Sequence, residues 1–292
     1  MTYLTLPTYI YDEMTLEEKQ KIILDDITKP IVIRGMYQPK AKDMSIDEIA
    51  DIFGDSIFEA ETYKTNQSKT VDKHYTPVSF PDLLNYWKFD YEPIYYIADC
   101  NIFVLQNCNR RNDLINILSS PATANLRTTH ELLLYVGKDH RSDLHLHCYS
   151  DFILNQLYGS KTVYIFDNYD NQNISKRSFF KEEVSNFAKQ NFFDLDHRNM
   201  KIYKTILHPG DSLLIPPWSW HATQGHGLNF SVTQVFDRSS ALYLLKNPNL
   251  ICETLSFNYL YFKKEIKRYI TVMIVILTLT LTLMFTYRIY RK

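Results

Sequence analysis

Glycine is scarce in this chain, with 7 in 292 residues, and no G-x-G-x-x-G or Walker-type run occurs. That argues against dinucleotide and P-loop nucleotide folds, whose backbones need glycine to approach a phosphate closely. Cysteine is also scarce. Cys100, Cys108, Cys148 and Cys252 form no C-x-x-C pair, which argues against a zinc knuckle and fits reduced, mostly buried thiols in a cytosolic domain. An excess of either charge is missing too: 32 Lys and Arg face 33 Asp and Glu, for a net charge of -1. No overall field therefore favours nucleic acid or an acidic surface. The first ten residues lack the basic start and long apolar core of a secretory signal.

Aromatic residues are abundant, with 22 Tyr and 17 Phe, and hydrophobic residues reach 45%. The length suits one large domain or two small ones. Residues 269–287 carry no charge, glycine or proline. As a helix they would span about 28 Å, close to a bilayer's hydrocarbon core. Tyr269 and Tyr287 bound the run; Lys263, Lys264, Lys267 and Arg268 precede it, and Arg288, Arg291 and Lys292 follow. This predicts a single-pass tail anchor with the N-terminal part in the cytosol.

Helical signals cover residues 15–26, 45–53, 79–87 and 113–118. Thr15 with Glu18, and Ser45 with Glu48, have capping-box spacing. Strands are predicted over 30–35, 132–136, 144–148, 152–157, 162–166, 202–206, 212–215 and 230–236, with extended chain over 95–105. Residues 178–190 have helical spacing and 168–173 read as a polar loop. The expected fold is mainly β with α decoration, a sandwich or barrel.

Two segments concentrate the chemistry. In the first, Asp143, His145 and His147 alternate with Leu144 and Leu146, so a strand would gather the three metal-competent side chains on one face. An exposed polar face is the alternative. In the second, the turn Pro209-Gly210-Asp211 precedes an apolar strand, Pro216-Pro217 ends it, and Trp218 and Trp220 lead to His221. A histidine at a strand rim among bulky aromatics suits a metal ligand. His140, His208 and His226 read as ordinary surface or turn residues.

These segments resemble the JmjC-type cupins, a family of Fe(II)- and 2-oxoglutarate-dependent oxygenases. Ser142-x-x-His145-x-His147 resembles the family's T-x-x-H-x-D strand, Gln156-x-x-Gly159-x-Lys161 its Q-x-x-G-x-K strand, and Pro209 to His221 its turn running from P-G-D to histidine. Lys29 to Gly35 resemble its opening strand, so the likeness spans about residues 28–238. It implies a double-stranded β-helix (cupin, jelly-roll) barrel. Residues 1–130 would form an α/β lead-in, 131–240 the cupin core, 241–268 a linker and 269–287 the membrane helix. It also implies His145 and His221 as iron ligands, Lys161 as the partner of the distal carboxylate of 2-oxoglutarate, and Ser142 as a further hydrogen bond to it.

The third ligand departs from the pattern, because His147 stands where the family has a carboxylate. A neutral imidazole leaves the Fe(II) centre one charge more positive and disfavours its oxidation. Three outcomes stay open: a three-histidine metal site, a carboxylate supplied by Asp143 instead, or a fold retained without activity. The implied function is a membrane-tethered hydroxylase acting on a protein side chain, or less readily on RNA or a small molecule. The alternatives are an inactive cupin used as a tail-anchored scaffold and, more weakly, a cupin of the isomerase or metal-storage kind.

Overall fold

The computed structural model describes residues 3–24, 29–54, 56–63, 74–89, 94–105, 108–120, 122, 129–147, 150–166, 174, 187–188, 191–195 and 200–237. Among these the fold is mainly β. Ten strands form one sheet: β1 (Thr8–Ile10), β2 (Ile31–Arg34), β3 (Ile57–Tyr63), β4 (His74–Ser79), β5 (Ile94–Asn101), β6 (Thr129–Lys138), β7 (Ser150–Phe166), β8 (Ile202–Leu207), β9 (Ser212–Ile215) and β10 (His221–Asp237). Their order is β1-β2-β9-β7-β10-β6-β5-β3-β4, with β8 also on β7. All neighbouring pairs are antiparallel except β1 with β2.

The long strands β7 and β10 are the spine. Their register shifts between His226 and Phe230 and again between Phe230 and Ser231. Here Gly159 and Gly227 take φ of 68° and 61°, the left-handed region that glycine enters freely. Gly159 has no substitute, since a Cβ there would lie 2.1 Å from the Leu228 carbonyl oxygen. Beyond this bend β7 exchanges its partner β9 for β8. The side chains of Asn155, Gln156, Ser212, Asn229 and Ser231 satisfy one another inside the bend, as buried polar groups must.

Among the described residues four helices, α1 (Leu16–Leu24), α2 (Ile46–Phe53), α3 (Phe80–Lys88) and α4 (Arg111–Leu118), decorate the sheet. Both predicted capping boxes form: Thr15 with Glu18 at α1 and Ser45 with Glu48 at α2. Helices α2, α3 and α4 pack on β5, β6 and β10 through one cluster. At its centre Phe53 stacks on Phe80 at 4.3 Å. A second cluster, containing Leu144, Leu146, Phe166, Phe192, Trp218 and Trp220, backs the histidine segments.

Several predicted elements change. The strands expected over 152–157 and 162–166 are one strand, because Gly159 bends the chain without breaking the ladder. The strand expected over 230–236 begins nine residues earlier, at His221. Strands β1, β3 and β4 were not predicted. Over the described part of the strand expected at 144–148 there is no regular ladder: residues 141–147 meet β10 through isolated bridges of Arg141 with Gln224 and His145 with His221, and through the Ser142 side chain. The two bridges are four residues apart on this segment and three apart on β10, so one residue is extra and the pairing between them is not regular; β10 starts at His221, so residues 146–147 lie beyond its end. His140, expected at the surface, is fully buried. Its ring stacks on Tyr96 at 4.0 Å and fills the space left by Gly137 and Gly225. Cys100 and Cys108 are free and partly buried. Cys148, Cys252, residues 168–173, most of 178–190 and the run 269–287 lie outside the described residues. No helix among the described residues is long and apolar enough to cross a membrane.

Candidate metal centre and its cavity

The turn before β9 is held from three sides. Gly210 takes φ of 90°, the Asp211 carboxylate accepts the His208 N–H at 2.9 Å, and Arg34 pairs with the same carboxylate. The backbones of Gly210 and Asp211 exchange hydrogen bonds with Gln156 at 2.9 Å each. After β9 the chain reverses through Trp218, whose φ of 64° is rare for a bulky side chain. Its N–H donates to the His147 carbonyl at 2.7 Å. Such strain persists only where surrounding structure enforces it, and it clusters at functional sites. The buried indoles of Trp218 and Trp220 supply that enforcement.

His221 and His145 are then locked backbone to backbone. Each N–H donates to the other's carbonyl, at 2.8 and 3.0 Å. Leu144 and Leu146 are buried against the tryptophans, so the alternation read in the sequence survives without a regular ladder. The ring centroids of His145, His147 and His221 lie 4.2 to 5.1 Å apart, and one nitrogen from each falls within 4.8 Å of the others. Two ligands at about 2.1 Å from one cation are at most about 4.2 Å apart, so a small side-chain adjustment brings the group onto a shared ion. The Asp143 carboxylate is not in this group. Asp143 serves instead through its backbone carbonyl, which accepts from His145 Nδ1 at 2.8 Å. The Ser219 carbonyl does the same for His221 Nδ1 at 2.9 Å. A carbonyl only accepts, so each Nδ1 carries the proton and each Nε2 keeps a lone pair for a metal. His147 packs flat on Phe152 at 3.5 Å.

Burial, then the neighbouring imidazoles, hold the His147 and His221 rings well below the ordinary histidine pKa. They are neutral at physiological pH, the form a metal needs. The donor set and the tautomers fit a divalent ion with nitrogen ligands.

These histidines line one side of a cavity of about 400 Å³, including the space at its mouth. Lys161 lies on its wall, 1% exposed, with Nζ 5.6 Å from the centre of the Tyr135 ring. Burial alone pulls its ammonium down to about 7. Ser142 also lines the cavity. Its Oγ accepts the Thr223 N–H at 2.8 Å, leaving the hydroxyl proton to donate to a ligand. Gln156 does not line the cavity; its side chain donates to the Tyr158 carbonyl at 2.6 Å and accepts from Ser231 at 2.8 Å. The sequence reading missed Tyr96, Tyr135, Thr223 and Thr233, which complete the wall. For Tyr135 a signal existed: a phenol inside the aliphatic run Leu132-Leu133-Leu134-Tyr135-Val136.

Residues 150–236 match the family described as JmjC domain, hydroxylase. The matched stretch contains Lys161 and His221, while His145 and His147 lie just before it. It supports a JmjC-type cupin. No curated protein matches the chain.

Proposed function

We propose that this chain is a membrane-tethered, JmjC-like hydroxylase dependent on Fe(II) and 2-oxoglutarate, acting on a protein side chain or on RNA. On this reading the sheet is a double-stranded β-helix, and the tether is the apolar run 269–287. The observation that carries the proposal is one cavity holding three grouped imidazoles and a buried lysine. His145, His147 and His221 would hold the metal. Lys161 would bind the distal carboxylate of the co-substrate, and the Ser142 hydroxyl would donate to it. When bound, Fe(II) and 2-oxoglutarate supply the oxidising chemistry, in which oxygen is consumed and 2-oxoglutarate becomes succinate and carbon dioxide while a C–H bond is hydroxylated.

The chain's own contribution is positional. Two backbone carbonyls fix the tautomers of His145 and His221. Phe152, Leu154 and Ile215 make part of the wall apolar, which strengthens the lysine–carboxylate attraction by excluding water there. A carboxylate arriving at Lys161 restores the ammonium that burial disfavours.

A second reading is favoured by His147: with no carboxylate among its ligands, the centre is harder to oxidise, and the protein serves as a binding scaffold. One assay separates them. Full-length protein in mild detergent, given Fe(II), oxygen and 2-oxoglutarate, is expected to form succinate above a His221→Ala control. Succinate no higher than the control would overturn the enzymatic reading.

A further inference from the structure

Strand β5 is irregular where it passes the cavity. Ile97 pairs with Val136 and Cys100 with Leu134, so two residues, Ala98 and Asp99, stand opposite the single Tyr135. Such a bulge re-aims a side chain. Asp99 takes φ of 52°, a left-handed backbone that aspartate tolerates better than most residues. Its Oδ1 accepts the Tyr135 hydroxyl at 2.5 Å, and Oδ2 has no partner among the described residues. Tyr135 lines the cavity while Asp99 is exposed. The carboxylate therefore stands one hydrogen bond outside the cavity wall, open to solvent. It belongs to the histidine end, since its charge acts on His221, whereas burial alone acts on Lys161. Glu131, exposed and on the same face of β6 as Tyr135, is a second carboxylate whose charge acts on that phenol. The wall itself holds no aspartate or glutamate.

We propose that Asp99 is the specificity-determining residue of this site, held in place by Tyr135, and that the substrate is a peptide presenting a lysine or arginine side chain at the cavity mouth. The inference rests on the proposed function above and narrows it from a protein side chain or RNA to a basic side chain. An ammonium or guanidinium donates to the open Asp99 Oδ2 in a charge-assisted hydrogen bond, and the Tyr135 ring offers it an aromatic face. A nucleic-acid phosphate meets the same carboxylates as repulsion. Were Asp99 needed only to hold the phenol, an uncharged acceptor would serve as well, and that difference is what the experiment reads.

The test is binding, read without turnover. Full-length protein in mild detergent is loaded with Mn(II) and 2-oxoglutarate, and metal uptake is followed by water proton relaxation. Peptides of the form acetyl-Gly-Gly-X-Gly-Gly-amide, with X lysine, arginine, norleucine, glutamine or glutamate, are then titrated in. Broadening of their proton NMR signals by Mn(II) reports both affinity and closeness to the metal. The lysine or arginine peptide is expected to bind about 5-fold or more tightly than the norleucine peptide, with glutamate weakest and the preference shrinking as salt is raised. Asp99→Asn keeps an acceptor for Tyr135 and a residue that tolerates the left-handed backbone, and removes only the charge. In it the preference is expected to fall to within about 2-fold and to lose its salt dependence. Mn(II) uptake with no preference for the basic peptides, whether all bind alike or none binds, would overturn this inference and leave the metal site standing. A preference that survives in Asp99→Asn would remove the role given to Asp99. No Mn(II) uptake would overturn the metal site of the proposed function, and this inference with it. The peptide series on the parent protein decides the first of these outcomes even if the variant does not fold.

Discussion

The histidine end and the lysine end of the cavity are built on opposite terms. At the histidine end, His145 and His221 are fixed twice over: their backbones bond to each other, and each Nδ1 donates to a carbonyl. The Nδ1 bonds leave each Nε2 free to bind a metal, and burial keeps the His221 ring neutral. At the lysine end, Lys161 is buried as deeply, but the described residues offer its ammonium only an aromatic face. A buried cation without a counter-charge costs free energy. One end is complete before any ligand arrives, and the other becomes favourable only with an anion. The difference marks the direction in which a negatively charged co-substrate lies, and it shows that a ligand site is as legible from unmet needs as from assembled donors.

The lysine end depends on the bend in β7, and two glycines test that dependence most severely. Gly159→Ala places a Cβ 2.1 Å from a backbone oxygen, which side-chain rotation does not relieve. We expect a loss of about 3 kcal/mol or more, or no folded protein. Gly227→Ala, in the paired bulge, meets nothing within 4 Å and carries only the cost of a left-handed alanine, about 1–2 kcal/mol. Chemical denaturation of the two variants checks the order. Equal stabilities would mean that the bend is not what aims Lys161 inward.

At the histidine end, His221→Ala removes a ligand without disturbing a core contact between large side chains. Mn(II) affinity in the presence of 2-oxoglutarate should fall by about 100-fold or more, beyond the 10–100-fold typical of losing a supporting hydrogen-bond partner. Secondary structure by circular dichroism should be unchanged. A variant that kept the parent's affinity would show that the three imidazoles do not act as one site.

Much of this contrast could be read from the residue order, and the rest fails for identifiable reasons. Lys161 and Gly159 were legible through the resemblance, which places both in the run Gln156-x-x-Gly159-x-Lys161. Gln156 belongs to the same motif, yet its side chain is spent on the Tyr158 carbonyl and Ser231; a motif does not separate ligand contacts from structural bonds. The alternation of Leu144 and Leu146 with His145 and His147 fixed which side faces the cavity. It did not reveal that the segment lacks a regular ladder, since pairing depends on where a partner 76 residues away begins (His221 against His145). His140 was misread because its neighbours Asp139 and Arg141 are polar. Its burial is arranged by Gly137, three residues earlier, and by Tyr96 and Gly225 from other strands, and the long-range part leaves no local trace. β3 and β4 were missed although residues 57–63 partly alternate and Gly54-Asp55-Ser56 precedes them.

The smallest expected effect sharpens the comparison most. Lys161→Met keeps a long, flexible side chain and deletes the charge. In the ligand-free protein we expect stability to rise, by about 1 kcal/mol or more, equivalent to roughly 2–4 °C in a chain of this size. The sign follows from linkage. The Lys161 ammonium titrates at about 7 in the folded protein against 10.5 ordinarily, so between these values the unfolded chain holds a proton that the folded one does not. Stability contributed by this residue therefore rises with pH across that window, and the penalty is complete at and below about pH 7. The gap between variant and parent should be widest near pH 7, narrow at pH 9 and close above 10.5. Adding 2-oxoglutarate with Mn(II) should reverse the order, because only the parent gains a ligand for its ammonium. Thermal melts at two pH values, with and without the ligand pair, measure all four quantities. A methionine variant less stable than the parent at pH 7 without ligands would mean that the described residues understate what already balances Lys161, and the two ends of the cavity would then be alike.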